Sequence, residues 1–252
     1  MKKLLYIFLM FSMLSSFMFA ATRGDIKVIE SSEDIRFLTQ RMVKNYLQLY
    51  RTPQKTTITS SMEESLSKLS ASFRSIAVTT KDSDSKDILD FLAYSKGEIE
   101  KSIKIKPDNE KALLMLEYGE IILEGVNSIE NAHRYDFSED ENMLIIAKNM
   151  KYLLESIVKY YMAYHMNIAV ERNEENMLVF INEFEENLQQ INFYDYPHDT
   201  KKIRFKINKL WKVNKVFLFK EKQLFLPNLL NSSIVQLEDY ISDIELYHSK
   251  NQ

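Results

Sequence analysis

The chain has 252 residues, enough for one large domain or two small ones. Four glycines and four prolines are too few for a turn-rich β fold, and long stretches of Leu, Ile, Met, Lys, Glu and Asn favour helix. A net charge of −3 without a basic stacking platform argues against nucleic acid, and the absence of cysteine excludes disulfides, thiolate metal sites, a cysteine nucleophile and acylation at a lipobox cysteine.

Lys2 and Lys3 precede an uncharged apolar run from Leu4 to Ala21 that ends Phe17-Met18-Phe19-Ala20-Ala21. A basic start, an apolar middle and small residues at the end read as a secretory signal peptide over residues 1–21, cut near Ala20 or Ala21. The run is also just long enough to span a bilayer if it stays uncut. A periplasmic or other extracytoplasmic location is expected, with membrane anchoring in the uncut case.

The remainder is expected to form about eight helices separated by breakers. Helix one, from Asp25 to Arg51, carries an apolar stripe of Ile35, Leu38, Met42, Tyr46 and Leu49. Helix two covers Ser60 to Val78, and the polar string Thr79 to Ser85 reads as a loop. Helix three runs from Lys86 to Lys104, before Lys106-Pro107-Asp108, and helix four from Asn109 to Ala132. Ser138 or Asp140 is expected to cap helix five, Glu141 to Arg172. Helix six spans Glu174 to Ile191, helix seven Thr200 to Glu221, and helix eight Asn228 to Ser249.

A shift of 115 residues lays the second half on the first. Ile35-Arg36-Phe37-Leu38 falls on Met150-Lys151-Tyr152-Leu153, and Met42-Val43-Lys44 on Ile157-Val158-Lys159. The same shift pairs Leu66, Leu69, Phe73 and Ile76 with Ile181, Phe184, Leu188 and Ile191, and Ile122, Val126 and Ile129 with Leu237, Ile241 and Ile244. Core class is held across four helices without a gap, which points to an internal repeat. The expected fold class is all-α: two tandem antiparallel four-helix bundle units, residues 22–136 and 137–252, the second degenerate.

Arg36, Gln40 and Lys44 stack on one edge of helix one, and Arg41 lies about 60° beyond them. Positive charge and an amide beside a core seam suit a small oxyanion, and they also suit a polar edge paired with Glu30, Glu33 or Asp34. Gln40 falls on Glu155 and Arg41 on Ser156, so anion-compatible chemistry is confined to the first unit.

The stretch Arg36-Phe37-Leu38-Thr39-Gln40-Arg41-Met42-Val43-Lys44-Asn45-Tyr46-Leu47 resembles the first helix of the NarX-like, or PilJ-type, N-terminal sensor domain, with its Arg-Met-Leu-Ser-Gln-Arg-Met-Ala-Lys type motif. Arg36, Gln40, Arg41 and Lys44 match; Phe37 and Thr39 replace the usual Met and Ser. Ile207-Asn208-Lys209-Leu210-Trp211 is similar to a further family feature, a Trp late in a unit. The resemblance implies a helical extracytoplasmic sensing module. It also implies a nitrate- or nitrite-type anion at a dimer interface, with Arg36 at the anion-contacting position. As no second span, kinase or signalling coiled coil follows the motif, output is expected through a partner: a membrane receptor, a kinase, a pilus-associated protein or a second copy of the chain.

Glu130-Asn131-Ala132-His133 and Glu245-Leu246-Tyr247-His248 are both Glu-x-x-His, 115 residues apart. Two such motifs occur in di-metal helical bundles, making Glu130, His133, Glu245 and His248 the metal candidates. Their place at helix ends gives a cationic histidine an ordinary electrostatic role instead. Tyr160, Tyr161, Tyr164 and His165 are expected to be packing residues. No serine–histidine–acid set, phosphate loop or paired-carboxylate motif stands out, so neither an enzyme nor a cofactor is expected. The expectation is an exported sensory or ligand-binding accessory module; the alternatives are an envelope adaptor without a small ligand and, third, a di-metal enzyme.

Overall fold

The computed structural model describes residues 2–52, 56–220 and 225–251, with side chains from Arg23 onward except that of Lys220. Among these residues the secondary structure is eight helices and no strand: α1 (Lys2–Arg51), α2 (Thr56–Thr79), α3 (Ser83–Ser102), α4 (Asn109–Ala132), α5 (Glu139–His165), α6 (Val170–Phe193), α7 (His198–Lys220) and α8 (Pro227–Ser249). The all-α class and the helix count are those expected from the sequence. The signal-peptide reading concerns side chains outside those described, as do the turn at Pro53 and the end of helix seven at Glu221. Among the described residues no helix is long and apolar enough to cross a membrane.

Helix starts follow local chemistry. Asp82 accepts from Ser85 N at 2.7 Å at the head of α3, and Asp108 from Lys111 N at 2.8 Å at the head of α4. Of the two caps expected for α5, Ser138 is the one used, in a reciprocal box with Glu141. The string Thr79 to Ser85 is loop only from Thr80 to Asp82, because α2 runs through Thr79 and the Asp82 cap starts α3 three residues before Lys86. α1 begins far upstream of Asp25, since an isolated glycine at position 24 does not stop a helix.

The main departure lies between α5 and α6. Apolar periodicity carries helix five to Arg172, but α5 stops at His165. The chain then turns through Asn167 (φ 58°) and Ala169 (φ 42°). Ile168 N donates to Ala163 O at 3.0 Å around Asn167, a Schellman-type ending with asparagine in place of glycine. No Gly or Pro announces this turn.

α1 packs antiparallel on α2 and on α4, and α3 covers α4 while barely touching α2. The second half repeats the arrangement: α5 packs on α6 and α8, and α7 covers α8. The two halves meet along α1 and α5. Contacts there join Asp34 to Lys148, Phe37 to Lys151, and Arg41 to Glu155, each 114 residues apart, so the two helices run parallel and in register. α1 and α5 are consequently buried around most of their circumference, as a helix central to a larger core must be. Gly119 of α4 allows a close approach to α1: a Cβ there would lie 2.9 Å from a Val43 methyl.

Candidate functional site

The first-helix motif lies inside the molecule, where α1 meets α5, α4 and α8. Gln40 and Lys44 are buried, and Arg36 and Arg41 are half-buried. A cation removed from water needs a carboxylate partner, and each of these has one. Arg41 Nε donates to Glu155 Oε1 at 2.7 Å, its other arm reaches Glu238 of α8, and Lys44 Nζ lies 2.6 Å from Glu155 Oε2. Arg36 is directed elsewhere. It donates to Glu33 at 2.7 Å, lies 3.4 Å from Glu130 of α4, and sits 4.2 Å over the Tyr152 ring of α5. The four motif residues are thus divided: Arg41 and Lys44 share one carboxylate, Arg36 has others, and the Gln40 amide has no hydrogen-bond partner among the described residues.

Glu155 occupies the position 115 residues after Gln40. The Gln/Glu difference between the two halves therefore supplies the carboxylate that neutralises the motif's own cations. Burial opposes ionisation of Glu155, but Lys44 and Arg41 outweigh it and hold its carboxyl down at about 2. Burial, reinforced by the charge on Glu155, pushes Glu238 well above the usual carboxylate range, against the pull of Arg41 and Lys44. Burial also pushes Glu33 up to about 7, against the pull of Arg36. About two turns from the Arg41–Glu155 pair, Lys148 lies 2.7 Å from Asp34 and 3.2 Å from Glu245, which also takes Lys151. Lys151–Glu245 and Arg36–Glu130 are the same pair displaced by 115 residues.

The two Glu-x-x-His motifs are likewise equivalent, and their imidazoles are engaged at both nitrogens. His133 Nδ1 is 2.7 Å from Asp25 and its Nε2 is 2.9 Å from the Thr80 hydroxyl. His248 Nδ1 is 2.8 Å from Asp140 and its Nε2 is 2.8 Å from the Tyr196 hydroxyl. His133 ties the end of α4 to the body of α1 and the residue after α2, and His248 ties the end of α8 to the start of α5 and the turn before α7. Burial pushes His248 below its usual range, so hydrogen bonding rather than cationic charge fixes it. Glu130 and Glu245 are turned to Arg36, Arg134, Lys148 and Lys151. Among the described residues no group of three or more His, Asp or Glu is arranged to hold a metal ion.

Trp211 is buried against Phe184, with its indole N–H on Glu185 at 3.2 Å. Tyr160 and Tyr161 are buried as expected of packing residues, and Tyr160 also donates to Glu120 at 3.3 Å.

A pair of clefts that no sequence motif marks flanks the α1–α5 seam. One, of about 390 Å³, opens between α4, α5 and the first turn of α6. The other, of about 230 Å³, opens between α8, α1 and the first turn of α2. They sit at equivalent places: Leu113, Leu116 and Glu117 in the first become Asn228, Asn231 and Ser232 in the second. Tyr160, Arg172 and Asn176 likewise become Asn45, Thr57 and Ser61. The larger cleft has an apolar floor and a charged rim, whereas the smaller has amides and hydroxyls only, apart from Ile58. The 115-residue shift already contained these differences, but nothing in a sequence marks which non-core positions line a cavity.

The chain matches no protein-family model, no curated protein and no solved structure.

Proposed function

We propose that this chain is an exported, non-enzymatic sensory accessory module, built as two tandem four-helix units that form an intramolecular pair. The observation that carries the reading is the parallel, in-register packing of α1 on α5, each the first helix of its unit. The first-helix motif and four-helix layout similar to NarX-like and PilJ-type sensor domains support it, since that resemblance implies function at an interface between two first helices. The apolar run from Leu4 to Ala21 supports an extracytoplasmic location, periplasmic or membrane-anchored. In this reading Arg36, Arg41 and Lys44 lock α1 to its neighbours, and the partner that receives the signal is a separate envelope protein.

Because those cations are already neutralised, nitrate, nitrite, sulfate and phosphate are expected to leave the melting temperature unchanged beyond their general salt effect. A saturable small-molecule ligand is expected to raise it. Saturable stabilisation by nitrate, lost in Arg36→Ala, would return the anion site to the first helix.

A second reading, an envelope adaptor without a small ligand, is favoured by α7. Its outer face carries Lys201, Lys202, Lys206, Lys209 and Lys212 interspersed with exposed Phe205, Val213 and Val216. A basic face with exposed apolar residues suits an acidic partner. Replacing Lys206, Lys209 and Lys212 by Glu would abolish partner capture in the adaptor reading and leave small-molecule stabilisation intact in the sensory one.

A further inference from the structure

We infer that the cleft between α4, α5 and α6 binds a small zwitterion with an apolar body, the chemistry of a free amino acid with an aliphatic or aromatic side chain. The inference rests on the sensory reading above and names the ligand class for it. The cleft's volume of about 390 Å³ falls within the range of small-molecule sites, roughly 300–1,000 Å³. Leu113, Leu116 and Ile121 line it on the α4 side, together with Ile168 from the turn before α6. Such a surface takes an apolar side chain.

The charges around that floor are split. Glu117 and Glu120 come from α4, and Arg172 comes from the first turn of α6. Behind them, buried Lys159 donates to Glu120 Oε1 at 2.8 Å, and the Tyr160 hydroxyl donates to the same oxygen. Glu120 is thereby neutralised by the protein. Glu117 and Arg172 have no ion-pair partner among the described residues. Two carboxylates and two cations make the cleft neutral overall, with one unpaired negative group on α4 and one unpaired positive group on α6. A net anion or a net cation would satisfy one side and repel from the other. A zwitterion satisfies both, placing its ammonium at Glu117 and its carboxylate at Arg172, with Asn176 one helical turn further along α6 as a polar neighbour.

The equivalent cleft between α8, α1 and α2 is an internal control. Where the first has Leu113, Leu116, Glu117 and Arg172, it has Asn228, Asn231, Ser232 and Thr57, with neither an apolar floor nor charge. The ligand is accordingly expected to bind once per chain.

Titration calorimetry of the whole chain with leucine and phenylalanine tests this, alongside phenethylamine, which lacks the carboxylate, and 3-phenylpropionate, which lacks the ammonium. The expected result is saturable binding of an amino acid at one site per chain, weakened about tenfold or more by removing either charge from the ligand. Arg172→Gln and Glu117→Gln, both rim substitutions, are expected to weaken it to a similar degree, while Thr57→Ala and Ser232→Ala leave it unchanged. Equal affinity for a singly charged analogue, or no heat with any apolar amino acid at millimolar concentration, overturns the inference. If amino acids fail but another compound gives stabilisation that Arg172→Gln abolishes, the ligand class is wrong and the sensory reading stands. If no compound of a broad metabolite panel stabilises the chain, both fail.

Discussion

At the residue scale, the Gln40 amide of α1 is buried with no hydrogen-bond partner among the described residues. A periodic apolar stripe identifies which residues face a core, but a helix enclosed by several neighbours buries its other faces too. Gln40 therefore looks like a solvated edge in the sequence and is fully buried in the structure, its amide unsatisfied. An unpaired buried amide costs about 1–3 kcal/mol, so Gln40→Met, which keeps the volume and removes the polar atoms, is expected to raise stability in a denaturant melt. A fall would mean that the amide is bonded after all.

Glu33 gives a pH signature. Its carboxyl titrates near 7 in the fold against an ordinary value of 4.5. The folded chain therefore binds more protons than the unfolded chain between those limits, and stability falls as pH rises from about 4.5 to about 7. Glu33→Gln keeps an acceptor for Arg36 and removes the buried charge. It is expected to flatten that slope and to be the more stable form at pH 8, by an amount on the order of 2 kcal/mol. Denaturation curves for both proteins across this pH range check the sign; an unchanged slope would show that Glu33 stays ionised in the fold.

At the element scale, six of the seven breaks between helices are legible because they are marked by Pro, by Asp or Ser caps, or by polar strings. The α5–α6 turn is not, for a physical reason: its two left-handed residues are Asn167 and Ala169, neither a glycine. Asparagine tolerates that conformation, whereas alanine adopts it at a cost of roughly 1–2 kcal/mol. α6 also begins there without a side-chain cap. Ala169→Gly is expected to raise stability by about 1 kcal/mol, read as a shift of the denaturation midpoint at constant slope. A loss of stability would mean that Ala169 is not left-handed. The Glu-x-x-His repeats were visible in the sequence as a spacing. Their role was not, because the partners Asp25 and Asp140 lie 108 residues away in each half.

At the scale of the whole molecule, the all-α class and the helix count were readable from composition and breakers. The pairing of α1 with α5 was not. A repeat says that two segments are alike, and does not say that they touch. Nor does the sequence say that the residue replacing Gln40 in the second half, Glu155, reaches back to Arg41 and Lys44. That carboxylate joins the halves: it is fully buried, with a cation from the other half on each of its oxygens. The same reach-back occurs at Lys148 with Asp34, so the seam is fastened at two levels by charged residues of α5, Glu155 and Lys148, that stand where α1 has Gln40 and Glu33. A seam of this kind fixes register, and it leaves the two flanking clefts as the places where the halves are free to differ.

A double-mutant cycle on Arg41 and Glu155 tests whether a buried, self-neutralised charge layer holds α1 and α5 in parallel register. Glu155→Gln alone leaves Lys44 without its carboxylate and Arg41 with Glu238 only, and is expected to cost about 3–5 kcal/mol. Arg41→Gln alone is expected to cost less, because Lys44 continues to neutralise Glu155. The double variant is expected to be more stable than the sum of the two losses implies, by about 1–3 kcal/mol. Losses that add to within about 0.5 kcal/mol would contradict that packing, since side chains that do not meet have nothing to couple them.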